Sequence, residues 1–186
     1  LMALLSDGMG VGKEAARLST VTVHLVRRML AAGLERKFAL RLLNSLLLLA
    51  SPEEAFATLD LLLFDQLTGK IELFKIGSAP TYIKKGREVH VVRSTSLPVG
   101  IVKTVEPEYY RDYLNDNDLV VLVSDGVVNL KPGNGDWLLK AVKKGESLEA
   151  EAFAQYLAEL AKIEAGGEIN DDLTIMVLQF ANHGRK

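Results

Sequence analysis

The stretch ATLDLLLFDQLTGKIELFKIGSAPTYIKKGREVHVV, residues 57–92, decides the fold. Ala57 to Phe64 and Lys70 to Ile76 are apolar-rich runs of strand length on either side of Asp65-Gln66-Leu67-Thr68-Gly69, a turn composition, so they read as one hairpin. Thr81 to Lys84 and Glu88 to Val92 flank Lys85-Gly86-Arg87 and read as a second. Two hairpins in succession argue for antiparallel sheet, since parallel neighbours need a long crossover between them.

Working outward, a helical pattern runs upstream from about Lys13 to Leu34. Ala16, Val23, Leu25, Val26, Met29 and Leu30 make its broad apolar stripe, and Gly33 is its stop signal. A second helix is predicted from about Arg36 to Ala50, closed by Ser51-Pro52. Downstream, a mixed and partly helical stretch reaches Asn117. Leu119 to Val123 then follows, an apolar, β-branched run of the kind covered on both faces. Helices are predicted around Asp136 to Lys143 and Leu148 to Ala165, broken by Gly166 and Gly167. A last strand over Leu173 to Phe180 precedes a frayed tail, Ala181 to Lys186. Helix pairs on both sides of the hairpins predict an α+β fold with helix layers on antiparallel sheet.

At 186 residues the chain fits a single domain. Its net charge of -2 offers no basic field for nucleic acid. It has no cysteine, which removes thiolate metal sites, disulfides and thiol nucleophiles, and leaves carboxylates and three histidines for chemistry. Leu46 to Ala50 is far too short to span a membrane, and Leu1 to Leu5 has no signal-peptide pattern, so no membrane contact and a cytoplasmic location are expected. Leu1 to Leu5 reads instead as a buried strand. Core strands rarely open a natural protein, so residues 1–186 are expected to be one domain cut from the C-terminal part of a longer protein, of a kind that can be membrane-anchored.

Three strand ends bear acidic turns: Ser6-Asp7-Gly8, Ser124-Asp125-Gly126, and Asp171-Asp172 ahead of the last strand. An aspartate there sits at the sheet's rim, and a neighbouring glycine admits close approach of a ligand to the backbone. Gathered carboxylates repel one another unless cations neutralise them. Hard divalent ions take oxygen ligands, and two of them can clamp a phosphoryl group for in-line attack. Asp-Gly is equally a common plain turn, and on the residues alone both readings stand.

The segments Ser6-Asp7-Gly8-Met9-Gly10, Val123-Ser124-Asp125-Gly126 and Asp171-Asp172-Leu173-Thr174 resemble, in order and spacing, the PPM family of metal-dependent protein phosphatases. Ala57-Thr58-Leu59-Asp60, Lys75-Ile76-Gly77-Ser78-Ala79-Pro80 and Ser96-Leu97-Pro98-Val99-Gly100-Ile101 agree with the branch that acts in sporulation. The resemblance implies an αββα sandwich that lacks its N-terminal strands here, with an earlier Asp and often an Arg on the missing part. It implies two divalent cations, Mn²⁺ or Mg²⁺. Asp7 would bridge them, the Gly8 carbonyl would bind one, and Asp125 and Asp171 would bind the other. Asp172 would bind as well or orient its neighbour. The nucleophile would be a water that the ions acidify. The implied activity is hydrolysis of phosphoserine on an anti-anti-sigma-factor protein, with Asp7, Asp125 and Asp171 as the catalytic set. A truncated or degenerate domain that only binds such a partner is the alternative. The first two helices and Val105 to Asn117 would take part in homodimer contacts and in switching, or else would simply pack the core.

Weaker signals complete the reading. Gly8 to Lys13 imitates a phosphate loop, but Glu14 stands where Ser or Thr is needed. His24 reads as a core or edge residue, and His90 and His183 have no partner at metal-ligand spacing. Lys84, Lys85 and Arg87 read as a solvated basic hairpin tip, with docking of an acidic substrate as the alternative.

Overall fold

Both predicted hairpins form. The structure, a computed structural model, describes residues 1–10, 12–50, 56–130, 137–145, 149–166, 169 and 171–181. In chain order its elements are β1 (Met2–Leu5), α1 (Lys13–Ala31), α2 (Arg36–Ala50), β2 (Leu59–Phe64), β3 (Lys70–Ile76), β4 (Thr81–Lys85), β5 (Glu88–Val92), β6 (Glu108–Tyr113), β7 (Leu119–Val123), α3 (Asp125–Val128), α4 (Trp137–Lys144), α5 (Ala150–Glu164) and β8 (Ile175–Gln179). They fall into two compact units: Leu1–Leu63 with Glu72–Ser78 and Arg93–Arg111, and Phe64–Ile71 with Ala79–Val92 and Asp112–Lys186.

One four-stranded sheet has the order β1-β2-β3-β6. The β2–β3 turn is tied by Asp65, which accepts from Leu67 N–H (2.9 Å) and Thr68 Oγ (2.7 Å); these bonds hold its carboxyl below the usual range. Successive residues of a strand face opposite sides. On one side Leu59 and Leu61 of β2 and Phe74 and Ile76 of β3 share a core with Val26 of α1 and Leu40, Leu43 and Leu47 of α2. This is the helix layer that the stripe in the first helix called for.

Three readings are corrected in this unit. β1 pairs with β2 from an outer position, Met2 against Leu63 through Leu5 against Asp60, and only Ala3 of its four residues is buried. The first helix stops at Ala31, three residues early, because Gly33 takes φ +84° and the Leu34 amide turns back to the Met29 carbonyl (3.1 Å). Glu35 then caps α2, accepting from the Lys37 and Phe38 amides (3.1 and 2.9 Å), which lowers its pKa. Finally, the partly helical stretch holds strand β6, whose burial alternates residue by residue.

The other sheet runs β5-β4-β7-β8, and its three neighbouring pairs are antiparallel. Every residue of central β7 is buried, as its composition predicts. Trp137, Leu138, Ala141 and Val142 of α4 and Phe153, Leu157 and Ala161 of α5 pack with Tyr82, Val121 and Val123. The basic tip needs correction: Lys84 is buried and donates from Nζ to the Lys143 carbonyl (3.0 Å), Lys85 pairs with Asp112 (2.5 Å), and only Arg87 is exposed. The alkyl stem of a lysine can line a core while its ammonium finds a carbonyl. The Ser51-Pro52 stop, the proposed starts at Asp136 and Leu148, the Gly167 break and most of the tail with His183 lie outside the described residues. Among the described residues no helix is long and apolar enough to cross a membrane.

Candidate active site

In the first unit, β1 ends in the turn that holds Asp7 and Gly8. The segment before β2 grips it. Ser6 Oγ donates to the Thr58 carbonyl (2.8 Å), Thr58 N–H donates to the Asp7 carbonyl (2.8 Å), and Asp7 N–H donates to Thr58 Oγ (3.0 Å). The Met9 amide donates to the Phe56 carbonyl (2.8 Å). The backbone on both sides of Asp7 is therefore fixed, while its side chain is half-buried. Gly8 is buried because the start of α1 lies on it. A Cβ at this position would stand 2.1 Å from the Ala15 carbonyl oxygen, so no other residue fits without moving the helix.

In the second unit, antiparallel pairing of Val123 with Ile175 brings the end of β7 beside the start of β8. Ser124 locks the two ends. Its amide donates to the Thr174 carbonyl (3.0 Å), and its Oγ donates to the Asp172 carbonyl (3.0 Å) and accepts from Thr174 N–H (3.0 Å). Asp125 opens the short helix α3 and is exposed. Gly126 makes the closest approach: a Cβ there would lie 2.5 Å from the Asp172 carbonyl oxygen and 3.2 Å from Asp171 Cβ. Asp125 and Asp171 are thus brought to one rim of this sheet, with one glycine between them. The Asp172 amide donates to Asp171 Oδ1 (2.8 Å) and orients that carboxylate. Beside them a cavity of about 570 Å³ opens against α5, lined by Ala158, Ala161, Leu173 and Ile175 together with Asp171 and Asp172.

The donors at these turns are carboxylate oxygens and backbone carbonyls, the set that hard divalent cations take. Asp171 and Asp172 are exposed alongside Asp125, and Gly126, with no Cβ, lets the turn after Asp125 lie against Asp171. The residues therefore fit a divalent metal. Among the described residues no group of three or more histidine, aspartate or glutamate side chains is gathered closely enough to hold one unaided. His24 and His90 are exposed, and Lys13 begins α1 rather than lining a phosphate loop. Sequence reasoning assigned no role to Thr58 or Ser124, the two hydroxyl residues that hold the turns. The signal was present, since each stands next to an apolar strand, where a hydroxyl pairs with whatever backbone crosses it.

The chain superposes on the PP2C phosphatase domain, with a fragment of the regulatory domain, of the cell fate determinant SpoIIE from Bacillus subtilis: TM-score 0.87 and 32% identity, over 97% of this chain and 54% of that one. It shares its fold also with the catalytic domain of the serine/threonine protein phosphatase PstP in complex with two manganese ions, at TM-score 0.71 and 19% identity, over 97% and 87% of the two chains. The fold is that of the PP2C-type protein phosphatase domains. The sequence model of one family, Stage II sporulation protein E (SpoIIE), matches residues 1–181, and the chain belongs to that family. Stage II sporulation protein E of Bacillus subtilis (strain 168) is 32% identical over 187 residues, which are 99% of this chain and 23% of that protein. The chain thus spans about a quarter of the length of that relative.

Proposed function

We propose that this chain hydrolyses phosphoserine on a protein substrate, using Mn²⁺ or Mg²⁺ held by Asp7, the Gly8 carbonyl, Asp125 and Asp171, with Asp172 orienting Asp171. The observation that supports this most is the rim of the second sheet, where Gly126 lets the Asp125 turn and Asp171 approach to side-chain contact distance. Bound ions would supply Lewis acidity and charge neutralisation at the phosphoryl group. The protein's own share is positional. Ser124 and Thr58 hold the turns, Asp125 and Asp171 stand exposed, and the apolar cavity beside Asp171 offers a seat for residues flanking the phosphoserine.

Membership of the sporulation family supports a phosphorylated anti-anti-sigma factor as the substrate and the cytoplasm as the place of action. The test is release of inorganic phosphate from such a phosphoprotein by the purified chain. Release is expected with Mn²⁺, none with EDTA, and none from a phosphotyrosine peptide under the same conditions. The second reading is a non-catalytic domain that docks the same partner. Binding of the phosphoprotein without release of phosphate at any Mn²⁺ concentration would establish that reading instead.

The domain is further proposed to form a homodimer through α2. Opposite its buried face, Phe38 (57% exposed), Leu46 and Leu49 (83% exposed) leave an apolar stripe in water. Sedimentation equilibrium is expected to give twice the chain mass at micromolar concentration, and Leu49→Glu to give the single mass. A parent chain that sediments as a monomer at 100 micromolar (on the order of the weakest useful interfaces) excludes the dimer.

A further inference from the structure

Two charges lie on the face of the first sheet turned away from α1 and α2. Asp60 alternates with Leu59 and Leu61, and Lys75 with Phe74 and Ile76, and those four apolar neighbours belong to the helix-side core. Both charged side chains are out of solvent, at 1% and 0% exposure. Lys75 Nζ donates to Asp60 Oδ1 at 2.5 Å, and Ser78 Oγ donates to the same oxygen at 2.8 Å. Asp60 Oδ2 is buried with no hydrogen-bond partner among the described residues. Desolvation raises the Asp60 carboxyl pKa and lowers that of Lys75, and each charge opposes the shift of the other.

Apolar residues of similar size usually stabilise a core as well as a buried ion pair does, so stability alone gives no account of this one. Its position does. Two bonded routes lead from Asp60, and both end at the Asp7–Gly8 turn. The first follows β2: Asp60 pairs in register with Leu5, and Thr58, two residues before it, grips the Asp7 backbone on both sides. The second starts at Ser78. Its neighbour Gly77 donates to Ser94 Oγ and Ser96 Oγ (2.9 and 3.3 Å), which fixes the loop that leads to Val99. Val99 and Ala57 exchange both backbone bonds (2.9 and 3.2 Å), and Ala57 bridges to Gly8.

We infer that Asp60 and Lys75 are positioning residues, a buried electrostatic clip that sets the Asp7–Gly8 turn from two directions. An ion pair suits this task better than apolar contact because it is directional: a slip of β3 against β2 separates the charges, whereas greasy side chains tolerate it. The inference rests on the reading of Asp7 and Gly8 as metal-holding residues only for its consequence, metal affinity; the positioning itself is a property of the metal-free chain.

The test compares the 186-residue chain with Asp60→Asn, Lys75→Met, the double variant Asp60→Leu/Lys75→Met, and Ser78→Ala. Each single change in the pair leaves a buried group unmatched and is expected to lower Tm by about 10 °C. The double variant is expected to regain most of that loss. Its Asp7 and Thr58 amides should nonetheless exchange with solvent roughly tenfold faster than in the parent, and calorimetry should show roughly tenfold weaker Mn²⁺ binding, the scale of supporting-residue losses. Ser78→Ala cuts only the second route, so faster exchange is expected at Ala57 and Val99 with little change in Tm. Parent-like exchange at Asp7 and Thr58 in the double variant overturns the inference, and should that variant fail to fold, parent-like exchange at Ala57 and Val99 in Ser78→Ala overturns it alone. If Asp7→Asn binds Mn²⁺ as the parent does, it is the metal reading that fails, and the exchange data still decide the positioning.

Discussion

Asp125→Asn and Asp171→Asn should each lower Mn²⁺-dependent phosphate release about 10³-fold, equivalent to ~4 kcal/mol of lost transition-state stabilisation. The fold gives little reason for either change to harm stability. Asp125 and Asp171 are exposed, and the bond that Asp125 makes within α3 uses its backbone carbonyl, which accepts from Asn129 N–H (2.8 Å). The Asp171 side chain accepts from the Asp172 amide (2.8 Å), and an asparagine carbonyl oxygen can accept the same bond. What asparagine lacks is the negative charge that a hard cation requires. Without metal, neighbouring carboxylates repel, so removing one charge should leave Tm in EDTA unchanged or slightly higher. Phosphate release at saturating Mn²⁺, read beside Tm in EDTA, separates loss of chemistry from loss of fold. Retention of half the activity by either variant excludes that carboxylate from the reaction.

Much of the architecture could be read from local chemistry because it is set by local chemistry. Asp65 to Gly69 makes its turn through bonds that Asp65 forms within three residues, and Leu119 to Val123 is buried throughout because nothing in it could face water. Glu108 to Tyr113 was misread for the opposite reason. Glu, Arg, Asp and tyrosines are at home on a solvated helix or a half-exposed strand, and pairing with β3, far away in sequence, decides between them. The acidic turns were visible as residues. That Asp125 and Asp171 share a rim depends on the Val123–Ile175 register, which no local pattern contains. Asp60 was legible as the one charge of β2, and Lys75 as a charge set between the apolar Phe74 and Ile76. Their partnership was not, since opposite charges on adjacent strands meet only when register and face both agree.

Gly8→Ala and Gly126→Ala should each be damaging single-methyl changes, each through a different acidic turn. At Gly8 the added carbon meets the Ala15 carbonyl oxygen at 2.1 Å, and at Gly126 it meets the Asp172 carbonyl oxygen at 2.5 Å. Both obstacles are backbone, so no rotamer change relieves them; a helix start or a strand end has to move. Overpacking of this kind costs about 1–3 kcal/mol, and in a chain of this length that lowers Tm by roughly 3–10 °C. The functional consequences differ in kind. In Gly126→Ala the relief available is displacement of Asp171 and Asp172, so Mn²⁺ affinity should fall with stability. In Gly8→Ala the first turn of α1 must lift, and the clamp of Thr58 on Asp7 resists that movement from the other side. If α1 yields, the Asp7 amide keeps its slow exchange and Mn²⁺ affinity is largely retained. If the turn yields, exchange and affinity are lost together. Amide exchange at Asp7 and Thr58, measured beside calorimetric Mn²⁺ titration on both variants, distinguishes the two. Parent-like Tm in Gly8→Ala would mean that α1 does not rest on this turn, and the account of why glycine stands there would fall with it.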